Sequence, residues 1–255
     1  MPVTPFKVAI PARWASTRLP GKPLIELAGR PMIRHVWDCA IQSGAEEVVI
    51  ATDDTRIADA ARAFGADVAI TSPDHPSGSD RLAELVDQRG WDDDTIVVNL
   101  QGDEPLTPPA ILRQAARELA EHPDAGISTL CTPITSAGQF HDPHVVKVVR
   151  DHQGYALYFS RAPIPWERDA LDIETDPGHG EAWRHVGLYA YRAGYLREYA
   201  RSSPCALERI ESLEQLRALW MGVRIHVGVA EALPGHGIDT PEDIELVEAL
   251  LQRTP

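Results

Sequence analysis

Ile96-Val97-Val98-Asn99-Leu100, followed by the helix-patterned stretch Pro109 to His122, decides the fold. A run of β-branched residues that does not alternate with polar ones belongs to a strand buried on both faces, as in a parallel sheet. The same pairing of apolar run and 3.6-residue periodicity recurs toward the amino terminus. Val8-Ala9-Ile10 precedes Met32 to Ser43, Glu47-Val48-Val49-Ile50-Ala51-Thr52 precedes Thr55 to Phe64, and Asp67 to Thr71 precedes Asp80 to Arg89. Strand and helix in alternation predict an α/β fold with a doubly wound, mostly parallel sheet. Ligands of such sheets lie beyond the carboxyl ends of the strands.

From about Thr132 the texture changes. Val145 to Arg150, Ala156 to Ser160 and His185 to Tyr191 are strand-like with little helix between them, and Glu167 to Trp183 reads as a polar, mobile loop. A helix over Glu208 to Trp220, a strand over Arg224 to Val229 and a helix over Pro241 to Leu251 complete the pattern. Residues 1–255 are therefore expected to form one domain, with a β-rich insertion over 135–205.

Composition narrows the function. Lys plus Arg number 24 against 38 Asp plus Glu, a formal charge of −14. Neutralising nucleic-acid phosphates needs cations in excess, so a nucleic-acid partner is not expected. No apolar run approaches the roughly 20 residues of a membrane span, and Met1 to Lys7 has no apolar core of an export signal. Cys39, Cys131 and Cys205 are far apart and form no Cys-x-x-Cys pair, which suits reduced thiols in a cytoplasmic protein.

Against this acidic background the segment after the first strand stands out. Pro11-Ala12-Arg13-Trp14-Ala15-Ser16-Thr17-Arg18-Leu19-Pro20-Gly21-Lys22-Pro23-Leu24 carries three cations and no acid. Its prolines restrict the backbone and lower the entropy lost on closing over a ligand. Three cations with free backbone N–H groups suit a polyphosphate. It is not a P-loop, because Pro23 follows Lys22 where that motif has a hydroxyl residue.

Two carboxylates complement the loop. Gln101-Gly102-Asp103-Glu104-Pro105 ends the most apolar strand, where Gly102 allows a ligand close to the backbone and Asp103 points toward the crevice. In Gly235-His236-Gly237-Ile238-Asp239-Thr240-Pro241-Glu242-Asp243, Thr240 is the natural N-cap, with Pro241 at N1 and Asp243 at N3. Asp239 is then not needed for capping. Were Asp103 and Asp239 to meet at about 4 Å, their repulsion would be about 4 kcal/mol at an effective dielectric near 20. A Mg²⁺ ion would reverse that sign, since it characteristically uses one or two carboxylates plus substrate phosphates.

Together these segments resemble the 3-deoxy-manno-octulosonate cytidylyltransferases, the CMP-Kdo synthetases of Gram-negative lipopolysaccharide synthesis. The resemblance rests on residues 12–24, His75-Pro76-Ser77-Gly78-Ser79-Asp80-Arg81-Leu82-Ala83-Glu84, and Val97 to Pro105. It continues through Tyr155 to Arg161 with Ile164-Pro165-Trp166, Arg184 to Tyr189, Leu207-Glu208, Leu213 to Arg217, and Gly237 to Asp243. It implies a nucleotide-binding, Rossmann-like sheet on which the anomeric hydroxyl of Kdo attacks the α-phosphorus of CTP. Pyrophosphate and CMP-Kdo would be the products, Mg²⁺ the cofactor, and a homodimer built through the β-rich insertion the assembly.

Carried over by position, Arg13, Arg18, Lys22 and Asp103 are the expected catalytic residues, and Asp103 with Asp239 the metal ligands. Ala12, Arg13, Arg18, Lys22, Ser77, Gly78, Arg81 and Gln101 would hold the nucleotide. For a sugar bearing a carboxylate and many hydroxyls, the expected partners are Gln101, Arg161, His185, Tyr189, Glu211 and Gln215. Glu208, Glu211 and Gln215 would share one polar face of the 208–220 helix. Two departures from the family pattern are Ser79, where Thr is common, and Trp14, where a smaller aromatic is usual. Ser79 keeps the hydroxyl, so base selection is expected to survive. Cytidylyltransferases for another 2-keto sugar acid, such as sialic acid, tend to carry Asn where this chain has Pro23. A non-catalytic nucleotide-binding regulator is the remaining alternative, disfavoured by the intact Lys22, Asp103 and Asp239.

Overall fold

The first half of the chain alternates as the pattern requires: β1 (Lys7–Ala12), a 3-10 turn (Lys22–Leu24), the short pair β2 (Glu26–Leu27) and β3 (Arg30–Pro31), α1 (Met32–Gln42), β4 (Glu47–Thr52), α2 (Thr55–Ala63), β5 (Asp67–Ile70), α3 (Gly78–Arg89), β6 (Ile96–Asn99) and α4 (Pro109–Glu121). Then follow β7 (Ala125–Pro133), α5 (Ala137–His141), β8 (Lys147–Arg150), β9 (Ala156–Ser160), β10 (Trp183–Arg192), α6 (Ala193–Arg201), α7 (Ala206–Glu211), α8 (Gln215–Trp220), β11 (Arg224–Val229) and α9 (Pro241–Leu251). This is a computed structural model, and it describes residues 4–15, 19–75, 77–168 and 181–252.

The main sheet runs in the order β11-β7-β10-β6-β1-β4-β5. Strands β6, β1, β4 and β5 are parallel neighbours, as are β7 and β11. β10 lies antiparallel between β6 and β7. Alternate residues of each strand enter different layers. Val8, Ile10, Ile50 and Val98 pack with Ile33 and Val36 of α1, Ile57 of α2 and Leu112 of α4. Ala9, Val49, Ala51 and Val97 pack with Leu82 and Leu85 of α3 and Leu196 of α6. Both faces are covered, which is why these strands read as continuous apolar runs.

Three features depart from the sequence expectation. β7 was not anticipated, because Gly126, Ser128 and Thr129 dilute its apolar character. Tertiary contacts satisfy them: the Ser128 hydroxyl donates to the Ala115 carbonyl (2.6 Å) and that of Thr129 to the Leu188 carbonyl (2.7 Å). A Cβ on Gly126 would lie 2.6 Å from the Val223 side chain. Second, α6 has no counterpart in the sequence pattern; Ala193, Tyr195, Leu196 and Tyr199 bury one side of it. Third, the continuous helix expected over 208–220 is two helices broken at Ser212, which takes a left-handed conformation (φ 53°). Cys205 caps α7, with Glu208 reaching back to the Cys205 N–H. The Glu208 carboxylate also takes a bidentate bond from the buried Arg217 (2.7 and 2.5 Å).

Residues 135–205 stand only partly apart. The β8–β9 hairpin extends from the edge of β10, whereas β10 itself runs through the middle of the sheet. The Glu167 to Trp183 loop falls largely outside the described residues. The hairpin is anchored by Lys147, which is fully buried. Its ammonium donates to the carbonyls of Asp142 (2.9 Å), Val145 (2.6 Å) and Arg161 (2.6 Å). Lys147→Met would remove three hydrogen bonds at a buried position and take the ammonium donor from the Val145 and Arg161 carbonyls, an expected loss of about 3 kcal/mol. Urea denaturation would read it; unchanged stability would show that the three bonds do not hold the hairpin.

Candidate active site

β1 and β6 lie side by side and parallel, with Ala9 opposite Asn99 and the Leu100 N–H donating to the Ala9 carbonyl at 3.0 Å. The chain leaves β1 toward β4 on one side and returns to β6 on the other. Their carboxyl ends therefore flank the switch point at which open α/β sheets hold ligands. Gly102 is needed there for a different reason than ligand approach: a Cβ would stand 2.8 Å from the Pro11 carbonyl oxygen. It lets the β6 turn close onto the end of β1.

Asp103 and Asp239, 136 positions apart in the chain, converge on one ammonium group. Lys22 Nζ donates to Asp103 Oδ2 at 2.6 Å and to Asp239 Oδ1 at 3.2 Å. Lys22 is buried at 8% exposure, while the two carboxylates keep faces open to solvent. Each partner is placed by backbone geometry. Lys22 starts the 3-10 turn behind Gly21, whose φ of 71° suits glycine. The Trp14 ring lies over Gly21, the Gly21 N–H donates to the Trp14 carbonyl, and the Arg56 guanidinium stacks on the indole at 3.3 Å. The larger aromatic at position 14 thus packs the loop onto α2.

The Asp239 loop is brought in by close backbone approach. The Ile238 N–H donates to the Asp103 carbonyl at 2.9 Å. A Cβ on Gly235 would sit 2.3 Å from the Leu106 carbonyl oxygen, and one on Gly237 2.6 Å from Glu104 Oε1. Thr240 caps α9 as expected, and Asp243 Oδ2 accepts from the backbone N–H groups of Asp239 (2.9 Å) and Thr240 (2.8 Å). The Asp239 carboxylate is left for the cleft.

Three adjoining cavities open around this centre. The first, about 320 Å³, takes in Ala12, Arg13, Lys22, Ser77, Gly78, Arg81, Gln101, Asp103 and Asp239. Nine of the ten expected nucleotide and metal residues meet there; Arg18 lies outside the described residues. Ser77 caps α3, accepting from the Asp80 N–H at 3.2 Å. The buried Arg81 is held by Thr71 and by Asp53 at 3.4 Å, so a cation faces the cavity beside a helix amino terminus. The second cavity, about 360 Å³, shares Arg13, Ser77, Gly78 and Gln101 with the first and adds Tyr189 and Gln215. The third, about 460 Å³, joins Gln101, Asp103 and Asp239 to His185 and Arg184.

The expected sugar partners do not all face one space. Arg161 and Glu211 bind each other instead: Glu211 accepts from the Arg161 N–H (2.9 Å) and the Ser160 hydroxyl (2.6 Å). The Arg161 guanidinium is occupied by the carbonyls of Glu211 (2.7 Å) and Pro143 (2.9 Å). Because the helix breaks at Ser212, Glu208, Glu211 and Gln215 share no polar face; of the three, only Gln215 lines a cavity. Burial, with Arg184 nearby, holds His185 down at about 3. It is neutral at neutral pH and pairs with the Thr129 hydroxyl at 2.9 Å. It can hydrogen-bond a carboxylate but brings no charge to it, and Arg13 is the cation lining the second cavity.

Sequence reasoning passed over several lining residues. Glu104 lines the third cavity, and burial, reinforced by Asp103 and Asp239, pushes its carboxyl up to about 7. Its position next to Asp103 was the available signal. Tyr191, Tyr195 and Tyr199 continue from Tyr189 as a row of rings 5.7 to 6.0 Å apart along the second cavity. Asn99 Oδ1 and Gln215 Nε2, both buried there, have no protein hydrogen-bond partner. Glu214 closes that cavity by accepting from Ser79 (2.9 Å) and Tyr199 (3.2 Å). No pattern in the chain links these residues before folding.

A divalent cation fits the donor set. Two carboxylates with open faces aim at one point that a positive charge already occupies, and oxygen donors beside a phosphate-sized space suit Mg²⁺. Asp103 and Asp239 are the residues that would hold it.

Comparison with known proteins places these observations. A family model described as cytidylyltransferase matches residues 8–225. A 3-deoxy-manno-octulosonate cytidylyltransferase of Thioalkalivibrio sulfidiphilus is 61% identical over 247 residues, 97% of this chain and 99% of that protein. One from Halorhodospira halophila is 55% identical over 251 residues, 98% of each chain. The solved structure of a CMP:2-keto-3-deoxy-manno-octonic acid synthetase complexed with CTP superposes with a TM-score of 0.90 at 41% identity, covering 98% of this chain and 100% of that one.

The Asp243 contacts carry a prediction. His236 and the backbone N–H groups of Asp239 and Thr240 hold the Asp243 carboxyl well below the usual carboxylate range. Its contribution is therefore present above the unfolded value near 3.9 and is lost as pH falls below it. Asp243→Ala is expected to cost about 1 kcal/mol in urea denaturation at neutral pH. The gap from wild type should shrink below about pH 4; a gap independent of pH would mean that the carboxylate charge does not carry the cap.

Proposed function

The chain belongs to the cytidylyltransferase family, and we propose that it joins CTP to the sugar acid Kdo, giving CMP-Kdo and pyrophosphate for lipopolysaccharide synthesis. The observation that carries this reading is the convergence of Lys22, Asp103 and Asp239 at the edge of a cavity that also holds Arg13, Ser77, Gly78 and Arg81. Cations and a helix amino terminus suit a triphosphate and its base-bearing nucleoside. The adjoining cavity of Tyr189, Asn99 and Gln215 offers the hydrogen-bonding groups that a polyhydroxylated acid needs, with Arg13 toward its carboxylate.

In the reaction the anomeric oxygen of the sugar attacks the α-phosphorus. The bond from that phosphorus to the bridging oxygen breaks, the hydroxyl proton is lost, and pyrophosphate carries away the electron pair. Little covalent work falls to the protein, so positioning and charge neutralisation supply the rate. Arg13 and Lys22 offset the charge on the phosphates, and Gln101, which borders all three cavities, lies where nucleotide and sugar meet. Bound at Asp103 and Asp239, Mg²⁺ would lower the pKa of the attacking hydroxyl and clamp the phosphates. We place the enzyme in the cytoplasm as a homodimer through residues 135–205. Exposed Leu157 and Trp166 in that segment support the assembly.

With CTP, Mg²⁺ and Kdo the protein should release pyrophosphate, and with sialic acid in place of Kdo it should not. Preference for sialic acid would overturn the sugar assignment. Asp103→Asn should lower turnover by about a thousandfold or more while the fold is kept, the scale at which lost charge stabilisation is felt. Near-wild-type pyrophosphate release from it would remove Asp103 from the mechanism. Arg13→Ala should weaken CTP binding by about tenfold or more, in line with loss of a charge-assisted contact; unchanged CTP affinity in calorimetry would count against the phosphate loop.

A further inference from the structure

Away from the cleft, the described residues bring together Glu118 and His122, four apart at the end of α4, and His226 of β11. One donor atom from each lies within 4.8 Å of the others. The i, i+4 spacing puts the first two on one helix face. α4 runs back from the carboxyl end of β6, and β7 and β11 start beside its end. The cluster therefore stands at the opposite end of the sheet from the cleft.

Two of the three donor atoms, those of Glu118 and His226, are already placed for a metal. His122 Nδ1 lies 2.7 Å from the Glu118 carbonyl. A carbonyl can only accept, so Nδ1 carries the proton and Nε2 keeps its lone pair, the arrangement typical of a metal-ligating imidazole. His226 is 6% exposed, and its buried Nδ1 makes no hydrogen bond. That atom sits 3.2 Å from Glu118 Oε2. Ligand atoms around a tetrahedral ion with bonds of roughly 2.0–2.1 Å are about 3.3 Å apart.

The surroundings hold two of the groups in place. A Cβ on Gly154 would lie 2.8 Å from His226 Nε2, and one on Gly228 2.7 Å from Glu118 Oε1. The Tyr155 ring stands edge-on to both histidines. The histidines themselves stack at 3.5 Å with their planes 16° apart. Metals bind the neutral form of an imidazole.

We propose that Glu118, His122 and His226 form a site for a divalent transition-metal ion, Zn²⁺ being the best match to two imidazoles and one carboxylate. Mg²⁺ would be a poor occupant because it prefers oxygen donors. Binding turns the half-buried His122 ring out of the stack, exchanging its Nδ1 bond to the Glu118 carbonyl for the bond to the metal, while His226 stays in place. The ion ties α4 to the edge strand β11, from which the chain runs on to the Asp239 loop. Its role is structural.

The test is calorimetric titration of metal-free, full-length protein with Zn²⁺ in excess Mg²⁺, together with thermal unfolding. One Zn²⁺ per chain should bind at this site and raise Tm. His122→Ala, the change at the half-buried position, and Glu118→Gln should each weaken binding by about a hundredfold or more, since loss of outer-shell partners alone costs about 10–100-fold. Absence of Zn²⁺ heat and of any Tm shift in the wild type would reduce the cluster to a His226–Glu118 ion pair. Zn²⁺ binding unchanged in both variants would place the ion elsewhere. Either result overturns the proposal, and neither bears on cytidylyl transfer.

Discussion

The Lys22 ammonium, set between Asp103 and Asp239, is the interaction on which the rest of the site depends. Two carboxylates at that spacing repel unless a positive charge lies between them. Bringing them together requires three distant segments to arrive at one point: the loop after β1, the turn after β6 and the approach to α9. Much of the local structure serves that meeting. Gly102 closes the β6 turn onto Pro11, Gly235 lets the Asp239 loop lie on the Leu106 backbone, Gly237 leaves room for the Glu104 carboxylate, and Trp14 packs over Gly21. At each of these glycines a side chain would hold the segments apart.

The chain's net charge of −14 and its proposed triphosphate substrate are compatible because the charge is unevenly placed. Between Arg13 and Lys22 the sequence has no acidic residue, and two of the acids that reach the cleft, Asp103 and Asp239, are drawn to one cation. Glu104 shows the cost of adding another carboxylate: burial beside Asp103 and Asp239 keeps its proton bound to about pH 7. The site thus separates a basic, nucleotide-sized cavity from an acidic corner where a divalent ion fits.

Most of the sheet was legible in the chain, since strands buried on both faces must be apolar throughout and Val97-Val98 or Val48-Val49-Ile50 admit no other reading. β7 was not, because Ser128 and Thr129 find their hydrogen-bond partners on other elements, α4 and the distant β10. The 208–220 segment has helical periodicity across Ser212, so the break there could not be read from spacing. That break separates Glu211 from Gln215, and it decides that Gln215 enters a cavity while Glu211 fastens the Arg161 corner. The motifs around Arg13, Lys22, Ser77, Asp103 and Asp239 were recognisable because their chemistry is carried by residue type and local spacing.

The sequence by itself determined the α/β class, the basic loop, the capping of α9 by Thr240, and the family resemblance. These are properties of neighbouring residues, and local sterics and charge settle them. Only the tertiary structure decided that Asp103 and Asp239 meet on Lys22, that His185 is neutral and Arg161 occupied, and that Glu118, His122 and His226 gather at the far end of the sheet. Convergence, desolvation and competition for hydrogen-bond partners depend on which distant groups share a space. That follows from packing the whole chain, and no local pattern records it.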